Sequence, residues 1–320
     1  LAPSTAEAAN YPSLDRALSG VYPAGSTFKP VTALAALQTH VISPSTSLHC
    51  TGSYSPPQQA GFSQAPQVFK NWDPFANSSM TLPTAIAASC DTFFYQLGYS
   101  FYKMPPSAGH PLQAWAAKFG VGRKTGVDIG PESAGLLPTP EWRKRTFTPK
   151  TDPSNWQIDR LWKTGDSIQL TIGQKDLLVT PLQMARVYAM IANNGKLVRP
   201  HIVQDVEQGG GKGLHPRIVH RFVPPPPQPV GLDPTGLAAV QDGLVLATHA
   251  SYGTSSGVFG NFPVTIAGKT GTAEKLVPGI PTDKTDQSWW CGYGPAGIGE
   301  RPSLVVCALI ENGGHGGDAA

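Results

Sequence analysis

The sequence predicts an α+β fold: an antiparallel sheet flanked by helices, with a mostly helical part beside it. Three observations carry this reading. Apolar residues recur at helical spacing in several stretches between residue 26 and residue 249. The spacing then changes to strand-type runs separated by turn residues. An early segment, a block of helices and a set of late strands, in that order and with no internal repeat, fit a sheet built from antiparallel neighbours.

The first element is "YPAGSTFKPVTALAAL", residues 22–37. Tyr22-Pro23-Ala24-Gly25 reads as a turn, and Val31, Leu34 and Leu37 mark one face of a helix over 26–41. Ser26 and Lys29 share one side of its first turn. Pro30 leaves the carbonyl four residues back, that of Ser26, without its usual donor. Residues 42–80, rich in Ser, Pro, Gly and Gln, read as irregular surface structure. "TLPTAIAASCDTFFYQLGYSFY" reads as two helical pieces broken near Ser89. "PLQAWAAKFG" is a helix ending at Gly120. Residues 121–165 carry turns and the cluster Trp142-Arg143-Lys144-Arg145, which reads as solvated surface.

"VTPLQMARVYAMIANNGK" is a helix with Pro181 at its start and Asn194-Gly195 at its end. Residues 204–234, with Gly209-Gly210-Gly211 and Pro224 to Pro227, read as an exposed hairpin or loop. "DPTGLAAVQDGLVLATH" is another helix, and "FPVTIAGKTGTAEK", "DQSWWCGYGPA" and "PSLVVCALIEN" are the strands. Trp289 and Trp290 fall on opposite sheet faces, one in the core and the other expected to border a cleft.

Composition narrows the function. The chain has 320 residues, 40% of them hydrophobic and only 14% charged, with 32 Pro and 35 Gly, which fits a loop-rich globular protein rather than a helical bundle. A formal charge of +3, with no Arg/Lys run interleaved with aromatics, gives no case for nucleic acid. No apolar run approaches the roughly 18 residues of a membrane span, and no signal peptide is visible. The chain opens on Leu1, so it reads as a fragment from which an anchor could have been removed. Cys291 and Cys307 flank a hairpin turn around Gly297-Ile298-Gly299 and can lie opposite one another, but two free buried thiols is the expectation, with Cys50 and Cys90 also unpaired. His49-Cys50 lacks the partners of a zinc site, so no metal is expected. Seven of the eight histidines have no acid at motif spacing, and His315, in Gly-Gly-His-Gly-Gly, is expected to shape its loop rather than catalyse.

Three short motifs carry chemistry. Ser26-Thr27-Phe28-Lys29 opens a helix, Ser89-Cys90-Asp91 sits at a helix break, and Lys269-Thr270-Gly271-Thr272 lies on a late strand. A serine beside a lysine that can lose its proton is an activated nucleophile. Singly each motif is common; the trio in this order is a known signature of serine acyl-enzymes that react with β-lactams.

With these motifs, with "AGKTGTAE", Thr171-Ile172-Gly173-Gln174 and "TPLQMA", and with the terminal "ENGGHGGDAA", the chain resembles the transpeptidase domain of class B penicillin-binding proteins from about Tyr22 to Asp318. "SCDTFFYQLG" and "GGHGG" look most like the elongation-type penicillin-binding protein 2 group. The resemblance implies the penicillin-binding and β-lactamase-like fold over residues 1–320. It implies a membrane helix and pedestal domain that precede this stretch, and a C-terminal helix, cut short here, that covers the sheet.

It also implies a D,D-transpeptidase that cross-links peptidoglycan stem peptides. Ser26 would attack a D-Ala-D-Ala carbonyl, Lys29 would take its proton, Ser89 would relay a proton to the leaving amine, and Lys269 would supply positive charge. Asp91, Thr270, Gly271 and Thr272 would meet the substrate, with Gly271 letting the strand come close to it. The N–H groups of Ser26 and Thr272 would form an oxyanion hole. No cofactor is implied. The implied partners are β-lactams and a membrane glycosyltransferase of the shape, elongation, division and sporulation (SEDS) type, on the extracytoplasmic side of the bacterial membrane. Many members carry Asn where this chain has Asp91, which when ionised accepts but does not donate and so can pair with Lys29 or Lys269. The rivals are a class D serine β-lactamase and a non-catalytic β-lactam sensor. The long gap from Lys29 to Lys269 and a middle motif of Ser-Cys-Asp count against the first, and the lack of a signalling segment counts against the second.

Overall fold

In the computed structural model, which describes residues 13–57, 67–210, 215–274 and 285–320, a 3₁₀ turn, Gly25–Phe28, runs straight into helix α1, Lys29–Gln38. Pro30 accounts for the change of pitch. It offers no N–H, so the N–H of Lys29 takes the Ser26 carbonyl in the tighter i to i+3 pattern.

Residues 42–80 are more regular than their composition indicates. Among the described residues they hold β1 (Leu48–Thr51), β2 (Ser53–Tyr54), β3 (Phe69–Lys70) and β4 (Asn77–Met80). β1 pairs with β4 and β2 with β3, both antiparallel. Of these strand residues only Cys50 and Phe69 are buried, so the alternation that normally flags a strand is missing.

Helices follow: α2 (Leu82–Ala87), α3 (Asp91–Tyr102), α4 (Pro111–Lys118), α5 (Pro140–Thr146), α6 (Trp156–Asp159), α7 (Thr164–Thr171) and α8 (Pro181–Ala192). The break between α2 and α3 falls at Ser89, as expected, in the left-handed region at φ 54°. α3 lies close on α7 because Gly98 has no side chain: a Cβ there would sit 2.7 Å from the Ile168 Cα. After β5 (Lys196–Leu197) the exposed hairpin β6–β7 (Asp205–Gln208, Arg217–Arg221) and β8 (Gln228–Pro229) lead to α9 (Pro234–His249), which packs on α2. Gly211 and Lys275, named above in loop and strand runs, lie outside the described residues.

After the short α10 (Ser256–Phe259) come β9 (Ala267–Ala273), β10 (Gln287–Gly294) and β11 (Leu304–Ile310), an antiparallel sheet in the order β11-β10-β9; α11 (Gly316–Ala319) ends the chain. α9 packs on β9, which places the helices against one face of the sheet. On the other face Leu304, Val306 and Ile310 of β11 are exposed. Both tryptophans are buried. Trp289 donates to the Pro23 carbonyl (3.0 Å), whereas Trp290 leans on Phe259 and covers Gly268 and Gly292 instead of bordering the cleft.

Two expectations are corrected. The four cysteines form two disulfides, Cys50–Cys90 and Cys291–Cys307. The second follows from register, since Cys291 and Cys307 are direct partners in β10 and β11. The first links residues 40 apart, which spacing alone does not reveal. By loop-closure entropy they stabilise the fold by about 4 and about 3 kcal/mol respectively. Arg143 is not solvated surface. It is buried, with Nη1 2.5 Å from Asp166 Oδ1 and Nε donating to the Asp159 carbonyl (2.8 Å). Lys175 also pairs with Asp166. Helix α5 turns one basic residue of its cluster inward to neutralise a buried carboxylate.

Candidate active site

The three motifs converge on one cleft of about 230 Å³ between the helices and β9. Ser26, Ser89, Asp91, Thr270, Gly271 and Thr272 line it, with the fully buried Lys29 and Lys269 beneath.

The Ser26 turn is held from several sides. Gly25 adopts φ 55°, and a Cβ there would lie 2.5 Å from the Thr272 carbonyl oxygen; its N–H donates to the Gly173 carbonyl (2.9 Å). The Thr27 carbonyl accepts from the Tyr188 hydroxyl (3.1 Å), and the Thr27 hydroxyl donates to the Ala24 carbonyl (2.7 Å). Ser26 itself is half-buried, and among the described residues its hydroxyl has no hydrogen-bond partner. A fixed backbone thus presents an uncommitted hydroxyl to the cleft.

Lys29 Nζ donates to three acceptors: the Ser89 carbonyl (2.6 Å), Ser89 Oγ (3.0 Å) and Asp91 Oδ1 (2.7 Å). An ammonium has three protons, and all three are placed. Burial nevertheless holds the Lys29 pKa below the usual lysine value, with Asp91 opposing that shift through charge and hydrogen bond. Asp91 is fixed in turn. Its Oδ2 accepts from the Trp72 N–H (3.0 Å), and its own N–H donates to Asn71 Oδ1 (2.9 Å). Asp91 therefore pairs with Lys29, one of the two partners the sequence offered.

Lys269 Nζ lies 3.2 Å from the Thr270 carbonyl. Its pKa is pushed well below the ordinary value, first by burial and then by the charge of Lys29, with Asp91 acting against both. The charge of Lys29 thus disfavours charge on Lys269.

β9 is the edge strand facing the cleft. The Thr272 carbonyl accepts from Gln174 Nε2 (3.1 Å) and so points away from β10. A strand residue directs its N–H and C=O to the same side, so the Thr272 N–H also faces the open edge. The Ser26 N–H opens a helical turn and has no intrahelical partner. Gly271 lines the cleft and also has a packing role. Its missing Cβ faces Thr27 and Ala24, at 2.9 and 3.1 Å, so it lets β9 approach the serine turn.

Asn71, Trp72, Gln174, Thr254 and Glu274 are among the cleft-lining residues that sequence reasoning left without a role. The Thr270 hydroxyl donates to Thr254 Oγ1 (2.8 Å), and Thr272 Oγ1 accepts from the Gly316 N–H (2.9 Å). Gln174 belongs to the quoted Thr171–Gln174 stretch, a signal that was present but unassigned. Asn71 and Trp72 lie in a segment whose composition gave none. His315 accepts from the Gly317 N–H (3.2 Å) within its loop and stands 6.2 Å, ring to ring, from Trp72 across the cleft. At the far end, burial and the charge of Asp286 push the Glu274 carboxyl up.

Known proteins resemble this chain along nearly its whole length. The chain is 31% identical over 319 residues to the peptidoglycan D,D-transpeptidase MrdA of Acinetobacter baumannii, covering 97% of this chain and 42% of that protein. It therefore spans less than half the length of such curated relatives. Among solved structures it resembles Pseudomonas aeruginosa PBP2 in complex with WCK 5153, with a TM-score of 0.75, 30% identity and coverage of 97% of this chain and 61% of that one. A second, described as showing structural coordination of polymerization and crosslinking by a peptidoglycan synthase complex, aligns with a TM-score of 0.70 and 33% identity, covering 99% of this chain and 48% of that one. The family profile described as penicillin binding protein transpeptidase domain matches residues 2–320, and the chain belongs to that family.

Proposed function

We propose that this domain is a peptidoglycan D,D-transpeptidase working through a Ser26 acyl-enzyme. The observation that carries the reading is the buried Lys29 amine, bound to Ser89 and Asp91 one turn from a serine hydroxyl that has no partner among the described residues. In the resting arrangement all three Lys29 protons are donated, so the first step is loss of one. Neutral Lys29 keeps two donors and gains a lone pair that can take the Ser26 proton as Oγ attacks a carbonyl. The carbonyl oxygen, turning into an oxyanion, is received by the N–H groups of Ser26 and Thr272, an arrangement whose loss typically costs about 10²–10³ in rate.

As the C–N bond breaks, Ser89 Oγ passes a proton from Lys29 to the leaving amine. An amine from a second stem peptide then attacks the ester, its proton returns by the same route, and Ser26 is released. Lys269 and the hydroxyls of Thr270 and Thr272 bind the substrate's terminal carboxylate. Thr272 accepts from Gly316 and keeps its own proton to give, and the Thr270 proton rests on Thr254, which has one to donate. The identities of the relatives support acting on the extracytoplasmic side of the membrane beside a glycan-polymerising partner of the SEDS type. Among the described residues no helix is long and apolar enough to cross a membrane.

The test is intact-mass spectrometry after incubation with a penicillin, with peptide mapping. The adduct is expected on Ser26, absent in Ser26→Ala, and stable. An adduct on another residue overturns the site. Hydrolysis within minutes favours a β-lactamase, and a stable adduct without cross-linking of lipid-linked peptidoglycan favours a sensor.

A further inference from the structure

We propose that the Cys50–Cys90 disulfide positions Ser89 and Asp91 on Lys29, so that acylation of Ser26 depends on this bond being closed. The inference rests on the reading of Ser26 and Lys29 as nucleophile and base.

Cys90 is the residue between the two groups that hold Lys29. Ser89 contributes its carbonyl and hydroxyl, Asp91 its carboxylate. Any displacement of Cys90 is transmitted to both neighbours. The turn is also not one that the chain adopts unaided. Ser89 has φ 54°, which a non-glycine residue keeps only where its surroundings impose it. The disulfide imposes it from one side, tying Cys90 to β1, where Cys50 is paired with Ser78 of β4.

A second link runs through Asn71. Its Nδ2 donates to Cys50 Sγ (3.7 Å) while its Oδ1 accepts from the Asp91 N–H (2.9 Å). Asn71 thus reads the position of the sulfur and sets the position of the carboxylate. The next residue, Trp72, donates its N–H to Asp91 Oδ2. Disulfide, Asn71, Trp72 and Asp91 form a closed ring of contacts around the Lys29 counter-ion.

Two features separate this role from simple cross-linking. First, β1 has a second attachment to α3 beside the bond: the Thr51 N–H donates to Thr92 Oγ1 (2.9 Å) and the Thr92 hydroxyl donates back to the Thr51 carbonyl (3.0 Å). Opening the disulfide then loosens the turn and lowers stability by about 4 kcal/mol, while these bonds still tie β1 to α3. Second, a cavity of about 460 Å³ lies behind the turn, lined by Cys50, Cys90, Ala88, Asn71 and Trp72 among others. It shares Asn71 and Trp72 with the catalytic cleft, so the turn has open space on both sides into which it can shift. A dithiol reductant supplies two electrons and two protons, leaves two cysteine thiols and becomes a cyclic disulfide. A disulfide oxidant such as oxidised glutathione reverses the exchange.

The primary variant is Cys50→Ala, which leaves the Cys90 sulfur to accept from the Phe93 N–H as the cap of α3. Its acylation by labelled penicillin is measured as a function of pH, beside wild type and Cys307→Ala, which opens the other disulfide. In Cys50→Ala the rate is expected to fall on the order of 10- to 10²-fold, the scale of a small misplacement of catalytic groups. The acidic limb of its profile is expected to move to lower pH as Asp91 withdraws from Lys29. Cys307→Ala is expected to keep the wild-type rate and profile. A folded Cys50→Ala with wild-type rate and profile overturns the proposal, and so does an equal loss in Cys307→Ala. Should Cys50→Ala not fold, wild type treated with dithiothreitol and mapped by alkylation decides. Full activity with Cys50 and Cys90 both alkylated overturns the proposal, and activity lost on reduction and regained with oxidised glutathione supports it. Wild type that takes no penicillin on Ser26 overturns the underlying reading instead.

Discussion

Lys29 and Asp91 meet at 2.7 Å in the floor of the cleft, a buried ion pair at the residue proposed to act as base. Such a pair holds the proton that the reaction must first remove. Burial pulls the Lys29 pKa down while Asp91 pulls it up, and the working pH is set by that balance.

Asp91→Asn removes the opposing pull. The Lys29 pKa then falls further, the neutral amine is populated at lower pH, and the acidic limb of the acylation profile moves downward. A shift of about one unit corresponds to about 1.4 kcal/mol. Penicillin acylation rates across pH check this, and an unmoved limb would mean that Asp91 acts only as a holder of the Ser89 turn.

The two lysines are expected to differ in what they tolerate. Lys29→Arg should lower acylation by about 10³ or more, since arginine does not surrender its proton at neutral pH. Lys269→Arg keeps a fixed positive charge and should retain measurable activity, reduced by the bulk forced into a fully buried position. Single-turnover acylation of both variants tests the division of labour, which equal losses would refute.

Gly25→Ala should damage both fold and site. The added methyl would meet the Thr272 carbonyl at 2.5 Å, and alanine at φ 55° carries strain of about 1–3 kcal/mol. A lowered melting temperature together with slowed acylation is expected. Slowed acylation without loss of stability would mean that β9 yields and the oxyanion hole opens.

Thr254→Val should weaken substrate capture more than chemistry. It removes the acceptor of the Thr270 proton and the donor that follows it, worth about 1 kcal/mol, or about a five-fold rise in the penicillin concentration for half-maximal acylation. A change confined to the limiting rate would move Thr254 from binding to catalysis.

The sequence made some of this legible because certain residues act locally. Pro30 announced a conflict at the Ser26 carbonyl, and the 3₁₀ turn is its solution. Ser89, between two helical runs, marked a break that the left-handed φ bears out. Lys29 near Asp91 could be anticipated because only two lysines stood close enough in the motifs to compete. Other features depend on partners distant in the chain. Arg143 looks like surface until α7 brings Asp166 under it. Asn71 and Trp72 sit in the irregular stretch after β3, where no period marks them, and their value lies in the N–H and amide groups they aim at Asp91. The Cys50–Cys90 bond belongs to the same class, since no spacing rule joins β1 to the start of α3. The packing of Gly271 on Thr27 and Ala24 was not legible, because a motif does not say which face of a strand is crowded.

The contact between Gly25 and Thr272 has a temporal consequence. It joins an early segment to a late strand, so the wall facing Ser26 comes from residues synthesised long after the serine. Contacts of such sequence separation are slow to form. A partly made or partly folded chain holds its serine, its lysine and even its Ser89 turn, yet lacks the strand that receives a carbonyl oxygen. Reactivity is therefore the last property the protein acquires as it folds. Penicillin labelling during refolding should report completion of the sheet rather than formation of the helices.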